Sequence, residues 1–74
     1  MRVVVKLFGM FIDKRSKVQE LDVPNGTRVL ELLDILAIRP LKVAIICVNG
    51  TVARSNPVLQ DNDCVSILPP LGGG

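Results

Sequence analysis

Only one stretch of this 74-residue chain carries a helical period, and that limits what it can fold into. Val29, Leu32, Leu33 and Leu36 recur at i, i+3, i+4 and i+7, while Arg28, Glu31 and Asp34 fall on other faces. Thr27 stands where an N-cap belongs, and Pro40 disfavours helical geometry in Arg39 before it. The pattern predicts a helix of about nine to eleven residues, ended near Arg39. One amphipathic helix covers one face of one sheet. A doubly wound fold is therefore excluded, and the expectation is an α+β roll in which a mixed sheet of four to five strands wraps a single main helix.

The strands are legible on both sides of that helix. In RVVVKLF, Arg2 to Phe8, the alternation puts Val3, Val5 and Leu7 on one face and Val4, Lys6 and Phe8 on the other; Lys6 marks the second as the wet face. Lys17 to Val23 alternates again, Gln19, Leu21 and Val23 against Val18, Glu20 and Asp22, and reads as the hairpin partner of the first strand. Pro24, Asn25 and Gly26 end it. After the helix, Lys42 to Val48 is an apolar run closed by the turn Asn49-Gly50 and followed by a short segment, Thr51 to Arg54. Its register is open, because Val43, Ile45 and Cys47 are as apolar as Ala44, Ile46 and Val48. Either both faces are covered, or one is an apolar surface kept for a partner. A loop, SNPVLQDND, leads to a last strand, Cys64 to Pro69, expected to lie beside the first.

Composition narrows the chemistry. Apolar residues make up 49% of the chain against 22% charged, so it folds, with an aliphatic core in which Phe8 and Phe11 are the only aromatics. A chain of this size buries roughly 60% of its unfolded surface and is held by a small margin. The net charge is +2 with the basic residues scattered, and stacking aromatics are scarce, which argues against nucleic acid. No run approaches the ~18 apolar residues of a membrane span, and nothing resembles a signal peptide. A cytoplasmic protein with reduced thiols is expected. With no histidine there is no imidazole base, and Cys47 and Cys64, without a C-x-x-C, make neither an activated nucleophile nor a zinc site. Asp61 and Asp63 read as turn formers rather than calcium ligands, and Gly72 to Gly74 precede no helix that would make them a phosphate loop. No metal and no bound cofactor are expected, and the domain does not read as an enzyme by itself.

What remains reactive is the end of the sequence, ILPPLGGG. Pro69 and Pro70 remove two amide donors, stop sheet pairing after Leu68 and favour an extended exit. Leu71 to Gly74, at ~3.3 to 3.6 Å per residue, then reach about 13 Å beyond the body. Glycine at Gly72, Gly73 and Gly74 would let the backbone pass through a slot too narrow for any Cβ. The expected organisation is a body over residues 1–68 and an extended tail over 69–74.

The leading VVVKLF strand, the helix after PNGT, the VNG turn at Val48 to Gly50, the D-x-D turn and the terminal ILPPLGGG together resemble the MoaD/ThiS sulfur carriers, which have the β-grasp, ubiquitin-like fold. The proline pair is closer to the small subunit of molybdopterin synthase than to the thiazole-pathway carrier. One departure is Asn62 in place of the glycine of the family's D-G-D turn; Asn tolerates left-handed φ, so the turn is expected to survive. The resemblance implies that an ATP-dependent adenylating enzyme of the ubiquitin-activating type converts the Gly74 carboxylate to an acyl-adenylate. A sulfur donor then displaces AMP to leave a thiocarboxylate. The acceptor implied is the large subunit of molybdopterin synthase, with thiamin or tRNA thiolation, or conjugation to lysines as a protein modifier, as alternatives. A binding-only module with an inert tail is the remaining one. Pro69, Pro70, Leu71, Gly72 and Gly73 would thread into the partner, and Val4, Phe8 and Leu68 are the candidates for an apolar docking patch on the open sheet face.

Overall fold

A computed structural model describes residues 1–9 and 17–70. Strands β1 (Arg2–Leu7) and β2 (Val18–Asp22) precede helix α1 (Val29–Ile35); a 3-10 turn at Pro40–Lys42, strand β3 (Ile45–Val48), strand β4 (Thr51–Val52) and strand β5 (Cys64–Leu68) follow. The sheet order is β2-β1-β5-β3-β4. β1 and β5 run parallel at its centre, with Val5 beside Val65 and Leu7 beside Ile67, while the β1–β2, β3–β4 and β3–β5 pairs are antiparallel. The mixed five-stranded sheet on one helix is the α+β roll that the single helical period required.

The core lies between one sheet face and the helix. Val3, Val5 and Leu7 of β1 and Val65 and Ile67 of β5 are fully buried against Val29, Leu32, Leu33 and Leu36. Val23, Ile38 and Leu59 complete it from outside the regular elements. The ambiguous third strand is resolved by its neighbour: Ile46 pairs with Ile67 and Val48 with Val65, so these two face the core, and Ile45 and Cys47 face away from it. A partner strand with a clear alternation sets the register of one without.

Three sequence expectations need correction. The helix begins one residue late: Arg28, not Thr27, is the N-cap, and the buried Thr27 hydroxyl donates to the Pro24 carbonyl at 2.7 Å. The first-turn amides find partners elsewhere, Arg28 N–H on Glu31 Oε1 (2.9 Å), Val29 N–H on the Pro57 carbonyl (3.1 Å) and Leu30 N–H on Asn56 Oδ1 (2.9 Å). The loop after β4 thus caps the helix. The helix also ends early, at Ile35, because Ala37 adopts φ 58° and closes a Schellman motif: its N–H bonds Asp34 O at 3.0 Å and that of Ile38 bonds Leu33 O at 2.9 Å. Finally β3 starts at Ile45 rather than Lys42, since Pro40 initiates the 3-10 turn that occupies Pro40–Lys42.

Two turns hold the end of the roll remote from the tail. Asn49 (φ 53°) and Gly50 (φ 83°) make the two-residue connection between β3 and β4, with positive φ at both positions as a type I′ turn demands. The Asn49 side chain also reaches across to β5, its Nδ2 donating to Asp63 Oδ1 and its Oδ1 accepting from Cys64 N–H, each at 2.9 Å. In the Asp61–Asn62–Asp63 turn, Asn62 holds φ 68°, as expected of an Asn standing for Gly. Both carboxylates are used as backbone acceptors: Asp61 Oδ1 takes Arg2 N–H and Asp63 Oδ2 takes Gln60 N–H, each at 2.8 Å. Asp61 fastens the turn to the start of β1 and Asp63 closes the turn on itself, the structural role their spacing suggested.

Candidate functional site: strand exit and open sheet face

β5 is a central strand, so the chain that follows it leaves from the middle of the sheet edge rather than from a corner. Leu68 makes its last ladder contacts opposite Ile45, and its carbonyl accepts from Ala44 N–H at 2.9 Å. Pro69 and Pro70 then offer no donor, and pairing stops. Pro69 is half-buried, with its ring lying against Gly9 just past the end of β1, while Pro70 is exposed. Leu71, Gly72, Gly73 and Gly74, the remainder of the expected threading tail, lie outside the described residues.

The face of the sheet opposite α1 carries the candidate docking residues. Val4, Phe8 and Leu68 are all half-buried. Register separates them into two places. Val4 lies beside Cys64 at one end of the face; Leu68 and Phe8 each stand one residue beyond the Leu7–Ile67 pair, at the end where the chain exits. Sequence reasoning missed their neighbours. Ile45 lies directly opposite Leu68 and is 44% exposed; Val52 lies opposite Cys47, which itself lies opposite Ser66. Thus Leu68 and Ile45 pair across β5 and β3 beside the exit, Phe8 stands next to them just past the end of β1, and Cys47 and Val52 follow in the adjacent row. The signal that would have found Ile45 is its pairing with Leu68, which the chain's own alternation does not contain.

Lys6, beside Ser66 in the next row, is exposed, and the Arg2–Glu20 pair, at 3.5 Å with both partners mostly exposed, sits at the far end and contributes little. Cys47 and Cys64 are free thiols, each partly exposed on the open face. Among the described residues no group of three or more potential metal ligands comes together, and no helix is long and apolar enough to cross a membrane.

A helix gripped by one face of a mixed five-stranded sheet, with parallel first and last strands at the centre, defines a β-grasp, ubiquitin-like protein. The profile of the ThiS family matches residues 5–74, and the chain belongs to that family of ubiquitin-like sulfur carriers, the one its motifs resemble. No curated protein sequence matches it. Among solved structures it is similar to a chain of the complex of subunits 1 and 2 of molybdopterin-converting factor from Helicobacter pylori, at 30% identity and TM-score 0.70 over 100% of both chains. SAMP1 from Haloferax volcanii aligns with TM-score 0.79 at 20% identity over 100% of both chains, and Urm1 from Trypanosoma brucei with TM-score 0.71 at 24% identity over 99% of this chain and 95% of that one. These last two share the fold.

Proposed function

We propose that this chain carries sulfur on its C-terminal glycine for molybdopterin biosynthesis, with residues 1–68 as the docking body and residues 69–74 as the reactive arm. The carboxylate oxygen of Gly74 attacks the α-phosphorus of ATP held by an activating enzyme, pyrophosphate leaves, and an acyl-adenylate forms. Hydrosulfide released by a sulfur donor then attacks the acyl carbon, AMP departs as the leaving group, and a thiocarboxylate remains for transfer to the acceptor enzyme. The chain contributes the substrate group and its delivery, not the catalytic groups, and acts as a cytoplasmic carrier rather than an enzyme.

The observation that carries this reading is the strand exit: a central strand terminated by Pro69-Pro70 beside an apolar row that no other described element covers, continuing into the sequence Leu71-Gly72-Gly73-Gly74. The family supports a sulfur carrier, the relative from a complex of subunits 1 and 2 of molybdopterin-converting factor supports the molybdopterin pathway, and Phe8, Leu68 and Ile45, with Val4 at the periphery, are the surface we assign to the enzyme partners. Intact mass spectrometry of the chain isolated from its own cells tests it. A mass gain equal to sulfur replacing oxygen, lost when Gly74 is deleted or followed by further residues, is the expected result. Conjugates on lysines of other proteins would show a modifier instead, and a cellular role untouched by deleting Gly73 and Gly74 would leave only a binding module. Reconstitution with the thiamin or tRNA thiolation enzymes, in place of the large molybdopterin synthase subunit, distinguishes the alternative acceptors.

A further inference from the structure

Where the chain leaves the sheet, the ring of Pro69 lies against a residue sixty positions away in sequence. β1 and β5 run parallel and in register to Leu7 and Ile67, so Gly9 and Pro69 lie at the same level two residues further on. Gly9 holds φ 60°, turning its chain out of the extended path that β1 follows. A Cβ placed on it would stand 2.8 Å from Pro69 Cγ and 3.5 Å from Pro69 Cδ. The first distance is well inside the ~3.5 to 4.0 Å at which carbon atoms pack. An L side chain at position 9 therefore meets two separate objections: the left-handed backbone and the ring of Pro69.

We propose that Gly9 is a positioning residue for the C-terminal arm: the ring of Pro69 beds on its bare Cα, and this contact fixes the direction in which residues beyond Leu68 leave the sheet. Three features make the contact a directional one. Pro69 has a rigid ring with φ fixed near −65°, so displacing the ring reorients the backbone on both sides of it. Pro70 adds a second fixed φ and transmits the direction into the arm. Leu68, just before, is held on its other side by the Ala44 N–H bond and the Ile45 pairing, so the strand end has no slack to absorb a push from Gly9. The catalytic meaning of this direction rests on the sulfur-carrier reading; the contact itself does not.

A double-mutant cycle tests the proposal. Gly9→Asn keeps a residue that tolerates left-handed φ yet adds the offending Cβ, and Gly9→Ala adds both the Cβ and the strain. Pro69→Ala removes Cγ and Cδ, the two nearest atoms. In NMR spectra, G9N is expected to shift the amide resonances of Leu71 to Gly74 while leaving those of α1 in place, and to shift them far less in the P69A background. In adenylation assays with the chain's own activating enzyme and ATP, G9N is expected to lower kcat about tenfold with KM for the carrier within about twofold, since the docking face is intact and only the alignment of the acyl group is lost. The kcat loss should shrink to within about twofold of P69A alone in the double variant. Arm resonances that do not respond to G9N, or that respond equally in both backgrounds, overturn the inference. If the wild-type chain is not adenylated at all while the resonance cycle holds, the sulfur-carrier reading falls and the positioning role of Gly9 stands.

Discussion

Ala37, Asn49 and Asn62 hold left-handed φ among the described residues that bear a side chain. The two asparagines are suited to it, since their short polar side chains are tolerated there and Asn49 uses its own to tie β3 to β5. Ala37 has no such compensation. It sits at the C′ position of a Schellman motif, which glycine normally fills, and it is exposed. Ala37→Gly is therefore expected to stabilise the protein by about 1 kcal/mol, the methyl strain removed exceeding the backbone entropy lost. Urea unfolding midpoints check this, and a lower midpoint for A37G would show that Ala37 is not strained. Leu59 makes the opposite case. It lies between strands yet is 2% exposed and packed in the core, with its N–H on the Thr27 carbonyl at 2.9 Å. Leu59→Ala is expected to cost about 2 to 5 kcal/mol, a large part of the stability of so small a domain. Thermal melting that leaves L59A within a few degrees of wild type would contradict that placement.

At the scale of elements, the helix depends on a loop as much as on its own sequence. Seven residues are too few for an α-helix to persist alone, and its first-turn amides are satisfied by Pro57 O and Asn56 Oδ1 as well as by Glu31. Asn56→Ala is accordingly expected to destabilise by about 1 kcal/mol, the usual loss for a capping oxygen. Hydrogen exchange should locate the effect at the amides of Leu30 and its neighbours; uniform exchange through the sheet would place the loss elsewhere. The same elements show what a sequence can and cannot reveal. β1, β2 and β5 were legible because each alternates cleanly, and the helix because its stripe is unbroken. The helix stop was not, since Ala37 carries no glycine signal and Pro40, the visible breaker, acts three residues later. The cap was not, since Asn56 is remote in sequence from Leu30. The site divides in the same way. The proline exit is local and readable, whereas the Ile45–Leu68 row and the Gly9–Pro69 contact join segments whose adjacency only the sheet order creates.

For the whole molecule, the distribution of cover decides which surface meets a partner. The helix and the capping loop occupy one face of the sheet, while the other face is uncovered by any described element and presents Phe8, Leu68 and Ile45 beside the exit. On the proposed function, a partner that receives the arm would be brought against this row, so that arm and row would act as one interface, the row supplying affinity and the arm chemistry. Ile45 is the residue to test, because it is 44% exposed and its side chain takes no part in the core. Ile45→Glu is expected to leave far-ultraviolet circular dichroism and melting unchanged and to weaken binding to the acceptor enzyme subunit at least tenfold, about 1.4 kcal/mol or more, as a charge placed in the apolar centre of an interface does. Val58 is the control: it is similarly exposed at 39%, yet it sits in the loop bridged to Arg28 beside the helix, away from the open face. V58E should bind as wild type in isothermal titration. Equal losses in I45E and V58E would mean that the partner reads general surface polarity rather than the row beside the exit, and the docking surface would then have to be sought on the helix side of the sheet.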